Sequence, residues 1–431
     1  MFIKRLSVTN FKSFDHLDIT LDKLNIVIGA NASGKSNFIS IFDFLRNIAN
    51  HGLENAVSMA GGAEYLRNQI SMSDELNFRI HYEPFVGYVF GENDDKLFKI
   101  LEATYEFALK YIKRHKCFKV TKDRLDLNCE FYPSESKLIN GESGLCERGL
   151  YDEILGTGYA SFDVKNGKVE FDYKLPNEFI KYKDEIVPAN RHFKMRRRQI
   201  NKLLLESAFF NMEYKLENPF NRIKIYDIDS RLSKRPVAIT GITELEEDGG
   251  NLSIVLMNII QDKEKKRRYL NLIGDLLPFV NDIKIKNVID KSVLFTIQEK
   301  YIKNKIYLPT SSLSVGTVNI AALIAALYYE YPSLTIIEEP DRDIHPYIIS
   351  RLVNMFKEII KWKKQIIITT HNPEVVKHAP LDSLLLIARN ENGISTISKP
   401  SENKKLKIFL KNEMGVDELF IHDLIGATSD E

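Results

Sequence analysis

A chain of 431 residues that is 44% apolar and 28% charged is too apolar for disorder and long enough for two globular units. Sixty basic residues against fifty-nine acidic ones leave a formal charge of +1, so any nucleic-acid binding has to come from a local patch. The three cysteines, Cys117, Cys129 and Cys146, lack metal-ligand spacing and form no disulfide framework, which fits a reducing, cytoplasmic setting.

The opening MFIKRLSVTNFKSF mixes polar and apolar residues and does not read as a signal peptide. Leu6 and Val8 alternate with Arg5 and Ser7, which predicts a half-buried strand, and the run Leu24–Ile28 predicts one buried on both faces. A glycine-containing loop follows. Phe38, Ile41, Phe42, Leu45 and Ile48 then recur at helical spacing. From about residue 74 to residue 230 the pattern changes. Tyr105, Phe107, Leu109 and Tyr111 alternate, and so do Phe162, Val164, Val169, Phe171 and Tyr173 around one turn. This predicts short antiparallel strands joined by Asn/Gly turns, with a helix over 199–210: a β-rich inserted arm or lid.

The chain then returns to an α/β pattern. Helices are predicted over 251–260, 269–277 and 318–329, strand character over 283–297, and two short buried strands over 334–337 and 365–369. The longest apolar stretch, 320–329, is about half of what a bilayer span needs, so no membrane is expected. The predicted class is α/β: a head formed from two sequence lobes, 1–73 and 231–431, flanking the insertion 74–230.

Four motifs carry chemistry. Gly29, Ala30, Asn31, Ala32, Ser33, Gly34, Lys35 and Ser36 match G-x-x-x-x-G-K-S between an apolar strand and a helix opening at Asn37. Such a loop turns backbone N–H groups around phosphates; Lys35 reaches the β- and γ-phosphates and the Ser36 hydroxyl ligates Mg²⁺. Gly29 and Asn31 to Asn37 are the candidate ATP-binding residues of this loop. The strand at 334–337 runs into Glu338 and Glu339. A carboxylate at a strand tip beside a phosphate loop can hold the metal shell and the next can activate water, so Glu338 is expected to be a metal ligand and Glu339 the general base. His371 ends the third buried strand, where it can donate to the γ-phosphate. Leu313, Ser314, Val315, Gly316 and Thr317 place a Ser-x-Gly turn at a helix N-terminus, another anion site.

In this order, with the opening TNFKSF, the segment Glu244–Leu252 and the stretch from Glu339 to Pro346, the sequence resembles the ABC-type ATPases of the RecF, SMC and OLD group. The resemblance implies an ABC-type P-loop ATPase head that works with ATP and Mg²⁺. It also implies a head-to-head homodimer in which Ser314 and Gly316 of one subunit cover the ATP held by Lys35 of the other. Chains of this kind often serve prokaryotic anti-phage systems, such as PARIS- and Septu-like ones, beside a separate effector nuclease. The alternative is a RecF- or SMC-like DNA-repair or clamping ATPase. About sixty residues follow His371, too few for the nuclease domain of OLD proteins, so no intrinsic nuclease is expected. Glu338 replaces the usual aspartate, and Gln69 is the one candidate for the usual coupling glutamine. Two basic runs remain. The run from Arg191 to Arg198, interleaved with Phe193 and Met195, suits nucleic acid or an acidic partner; the run from Lys263 to Arg268 reads as a solvated face.

Overall fold

The computed structural model describes residues 1–71, 73–84, 86–90, 96–133, 154–165, 167–182, 202–206, 218–288, 291–304, 306–362 and 364–402. The basic run at 191–198 and most of the helix predicted over 199–210 lie outside them; within 202–206, Leu204–Glu206 form a single 3₁₀ turn. The chain divides into two compact units, one of 1–22, 36–223 and 389–397, the other of 23–35, 224–388 and 398–431.

The first unit is built on an antiparallel sheet. Its strands are β1 (Phe2–Phe11), β2 (Phe14–Thr20), β4 (Glu75–Glu83), β5 (Val86–Phe90), β6 (Lys96–Ile112), β7 (Cys117–Pro133), β8 (Gly156–Lys165) and β9 (Lys168–Lys174). They lie in the order β2-β1-β4-β6-β7-β8-β9, with β5 on β6. In β4 the alternation is strict: Leu76, Phe78, Ile80 and Tyr82 are buried, whereas Glu75, Asn77 and Arg79 face water. Helix α1 (Lys35–His51) lays Phe38, Ile41, Phe42, Leu45 and Ile48 inward, as predicted. Phe44 joins an aromatic cluster in which Phe11 meets Phe78 edge-on at 5.6 Å and Phe78 stacks on Phe107 at 4.6 Å.

Two expectations differ here. Strand β1 pairs with β4, with Leu6 opposite Ile80 and Val8 opposite Phe78, so one sheet runs through the compositional boundary at 73/74. The insertion's strands are also not all short: β6 and β7 form a hairpin of 17 residues on each side. Cross-strand pairs on one face hold so long a ribbon, for instance Phe107 to Asp123 and Tyr105 to Leu125.

The second unit is α/β. Strands β3 (Leu24–Ile28), β15 (Leu334–Glu338), β16 (Ile366–Thr370) and β17 (Leu384–Arg389) run parallel, with β10 (Ile223–Tyr226) at the edge, in the order β10-β15-β16-β3-β17. All five residues of β3 and of β16 are buried, as parallel strands covered on both faces require. Between β10 and β15 the chain forms α2 (Leu252–Gln261), α3 (Lys263–Leu276), a small antiparallel sheet of β11 (Val237–Ala238), β12 (Val280–Asn287), β13 (Ser292–Glu299) and β14 (Tyr307–Pro309), and α4 (Val315–Tyr328). The single strand-like stretch predicted over 283–297 is thus two paired strands, Ile283 opposite Ile297. Every residue of α4 from Thr317 to Tyr328 is buried, which is why its Ala/Leu composition shows no polar face. Its last turn is fixed by Lys364, whose Nζ donates to the carbonyls of Leu327 at 2.5 Å and Glu330 at 2.7 Å. Burial brings the Lys364 pKa down to about 8. Helices α5 (Pro346–Ile359) and α6 (Pro373–His378) follow β15 and β16. Among the described residues no helix is long and apolar enough to cross a membrane.

Candidate active site

Three adjacent parallel strands end side by side. The register sets Glu338 beside Thr369 and Thr370 beside Ile28, so the residues that leave β15, β16 and β3 emerge at one edge of the sheet. In open α/β sheets this carboxyl edge is where ligands bind. Glu339, His371 and the phosphate loop are the next residues along those three strands.

The loop after β3 is shaped by its glycines. A Cβ on Gly29 would strike the Ile387 carbonyl and lie 2.5 Å from Ser33 Oγ, and Gly34 sits at φ 118°, a conformation side chains rarely adopt. Ala32 is also left-handed at φ 64°, and the Ser33 N–H donates to the Ala30 carbonyl at 3.2 Å, closing the turn. Lys35 Nζ arches back over the loop, donating to the Gly29 and Ala30 carbonyls at 2.6 and 3.0 Å. Burial lowers its pKa and the nearby Glu339 carboxylate opposes that shift. Ser36 is the next residue, in the first turn of α1. Asn37 donates its side-chain amide to Ser13 Oγ at 2.8 Å, so that group serves the first unit's packing.

Glu339 has φ 43°, the left-handed region that is costly for a residue with a Cβ. Its N–H donates to the Thr369 carbonyl at 3.0 Å, tying the strained residue to β16. One carboxylate oxygen lies 2.9 Å from His371 Nδ1; the other accepts from Arg342 Nη2 and Nε at 3.3 and 3.4 Å. Arg342 also reaches Asp227 through Nη1 at 3.3 Å. Glu338, half-buried, has its pKa raised by desolvation first and then by the Asp227 and Glu339 carboxylates. Asp341 is only 6% exposed, and burial raises its pKa too, against hydrogen bonds from Thr370 and Asn372.

The Ser-x-Gly turn opens α4. Ser314 Oγ accepts the Thr317 N–H at 3.1 Å as an N-cap, and the exposed hydroxyl also pairs with Thr317 Oγ1 at 2.8 Å. Gly316 packs so tightly that a Cβ there would lie 2.5 Å from the Asp343 carbonyl oxygen. Asn319 Nδ2 donates to the Arg342 carbonyl at 2.9 Å. The turn is therefore anchored, within one subunit, to the segment that follows Glu339.

Sequence reasoning missed Arg342 and Asp227. The cation inside the string EEPDRD was the available signal for Arg342; Asp227, far away in sequence, gave none. Gln69 uses its amide on the Arg67 carbonyl at 3.3 Å and on the Glu64 carbonyl, inside the first unit. Arg342→Ala is expected to lower kcat three- to tenfold with little change in KM for ATP, because Glu339 loses one of its two side-chain partners. Arg342→Lys should recover part of the loss. Steady-state kinetics decide it: an equal rise in KM would mean that Arg342 contacts the nucleotide.

No curated protein sequence matches the chain. Among solved structures, an Smc head bound to the C-winged helix domain of ScpA covers 94% of this chain and 100% of its own, at 14% identity and a TM-score of 0.47. An SMC head domain from Thermotoga maritima covers 93% and 99%, at 16% identity and a TM-score of 0.41. A Smc head domain with an extended coiled coil from Pyrococcus furiosus, bound to the C-terminal domain of ScpA, covers 96% and 100%, at 13% identity and a TM-score of 0.46. The profile of the AAA ATPase domain matches residues 1–376, a span that holds the phosphate loop, the Glu338–Glu339 strand end and His371, and the chain belongs to that family.

Proposed function

We propose that the chain binds ATP with Mg²⁺ through an ABC-type head and hydrolyses it when two copies close head to head, and that this cycle controls a separate effector. The observation that carries the hydrolytic part is the meeting of Lys35, Glu338, Glu339 and His371 at the ends of three neighbouring parallel strands. The effector, read as a nuclease of an anti-phage system, is supported by the sequence resemblance alone.

The residues present fit a magnesium nucleotide. Gly34, at φ 118°, and the left-handed Ala32 turn the backbone sharply just ahead of α1, as a loop wrapped around phosphates requires, and Lys35 supplies the cation. Mg²⁺ takes one or two carboxylates or hydroxyls and fills its remaining positions with water and phosphate oxygen. Glu338, beside two further carboxylates, and Ser36 are the donors for it; among the described residues no cage of three or more His, Cys, Asp or Glu forms. Bound there, the ion would neutralise charge on the transferring phosphate. Glu339 holds a water and accepts its proton, its carboxylate aimed by His371 and Arg342. His371 donates to the phosphate being cleaved. Ser314 and the first N–H groups of α4 meet the phosphates bound by the other subunit.

Mixing two inactive variants tests the shared site. Ser314→Arg and Lys35→Ala should each hydrolyse ATP poorly alone, yet recover up to about a quarter of the parent rate when mixed, since half the dimers carry one intact composite site of two. Mixed dimers that form, as shown by a pull-down through a tag on one variant, but stay inactive would overturn the head-to-head arrangement.

A further inference from the structure

The run from Lys263 to Arg268 is largely solvent-exposed, as its charge predicts. Helix α3 splits it by its own periodicity. Arg268 turns toward the aromatic side and lies 4.2 Å from the Trp362 ring centroid. Lys263, Lys266 and Arg267 line a trough of about 790 Å³, and Lys300, from the turn after β13, lines it as well. Lys266 is neutralised by Asp282 at 2.7 Å. Among the described residues no salt bridge engages Lys263, Arg267 or Lys300. Between residues 263 and 305 the sequence carries eleven basic and five acidic residues, so this segment exceeds the whole chain's surplus of one and the remainder is net acidic.

The chemistry of the lining suits phosphate. Lysine ammonium groups bind it as compact point charges and the arginine fork binds it bidentately, and the free cations here are two lysines and one arginine. Asn271 and Asn281 add neutral amide donors, and a single acid, Asp275, shares the lining. Tyr301, directly after Lys300, is 79% exposed. The size suits a ligand carrying several phosphates.

We propose that this trough is a second anion site, separate from the phosphate loop, which binds a run of adjacent phosphate groups. It rests on no part of the hydrolytic reading. The site would let a polyphosphorylated compound or a nucleic-acid strand be held by the same subunit that holds ATP.

The test follows fluorescein-labelled oligothymidylate by anisotropy, on the full chain with the ATP site saturated by a non-hydrolysable analogue. Lys263→Gln/Arg267→Gln, both exposed and so safe for the fold, should weaken binding at low salt tenfold or more. The slope of log K against log salt should shrink by about 1.4, at ~0.7 per single-strand phosphate contact, and Lys300→Gln should remove about 0.7 from a different element. Displacement by inorganic tripolyphosphate would assign the site to a short free polyphosphate. Displacement by unlabelled strand alone would assign it to nucleic acid. Slopes unchanged in both variants, or polyglutamate displacing the probe as well as polyphosphate does, would overturn the proposal.

Discussion

Glu339→Gln is expected to bind ATP as the parent does and to hydrolyse it at least ~10²-fold more slowly, the usual scale for losing a positioned general base. The amide keeps the shape of the side chain but cannot take a proton from water. It can still accept from Arg342 and donate toward His371, so the local geometry survives. The phosphate loop is untouched. With hydrolysis blocked and binding intact, the variant should accumulate in the ATP-closed pair, seen as a nucleotide-dependent shift to a larger species on a sizing column. Near-parent turnover would move the base to Glu338 or another group.

Lys35→Ala acts on the other side of the reaction. Lys35 Nζ sits over the Gly29 and Ala30 carbonyls, where it has already given up part of its hydration, and its pKa is lowered accordingly. Its transfer to a phosphate therefore costs less reorganisation than a fully solvated lysine would need. A charge-assisted hydrogen bond contributes about 1.5–3 kcal/mol, so the variant should lose roughly tenfold to a hundredfold or more in ATP affinity. The loop's shape comes from Gly29, Ala32 and Gly34 rather than from the lysine, so the melting temperature should hardly move. Calorimetric titration gives the answer, and unchanged affinity would remove Lys35 from the site.

Local physics made much of this site readable from the amino-acid string. The phosphate loop announces itself because its glycines, its lysine and the flanking strand and helix are contiguous. The strands at Leu24, Leu334 and Ile366 were legible because a strand buried on both faces must be largely apolar. Asp227 was not legible, because its place opposite Arg342 comes from β10 lying next to β15 in the sheet, and no local pattern encodes strand order. The same limit hid the union of β1 with β4: composition changes near residue 74, but pairing depends on the register of alternating side chains on both strands. The 263–268 run is exposed, as its charge predicts, but the trough beside it was not legible for a related reason. Spacing along a helix says which cations share a face, but Lys300 arrives from another element.

The contact between Gly316 and Asp343 bears on how such a turn is read in any chain that carries it. A glycine there would commonly be taken as the mark of a backbone that must approach a ligand. Here the crowding comes from the protein's own carbonyl at 2.5 Å from where a Cβ would sit. Any larger residue at 316 would push the segment after Glu339 aside within the same subunit. Loss of activity on changing Gly316 would thus report an internal fault as readily as a broken contact between subunits. Ser314, exposed at the same turn, can be changed without that clash, so it is the position at which the proposed contact between subunits is best tested.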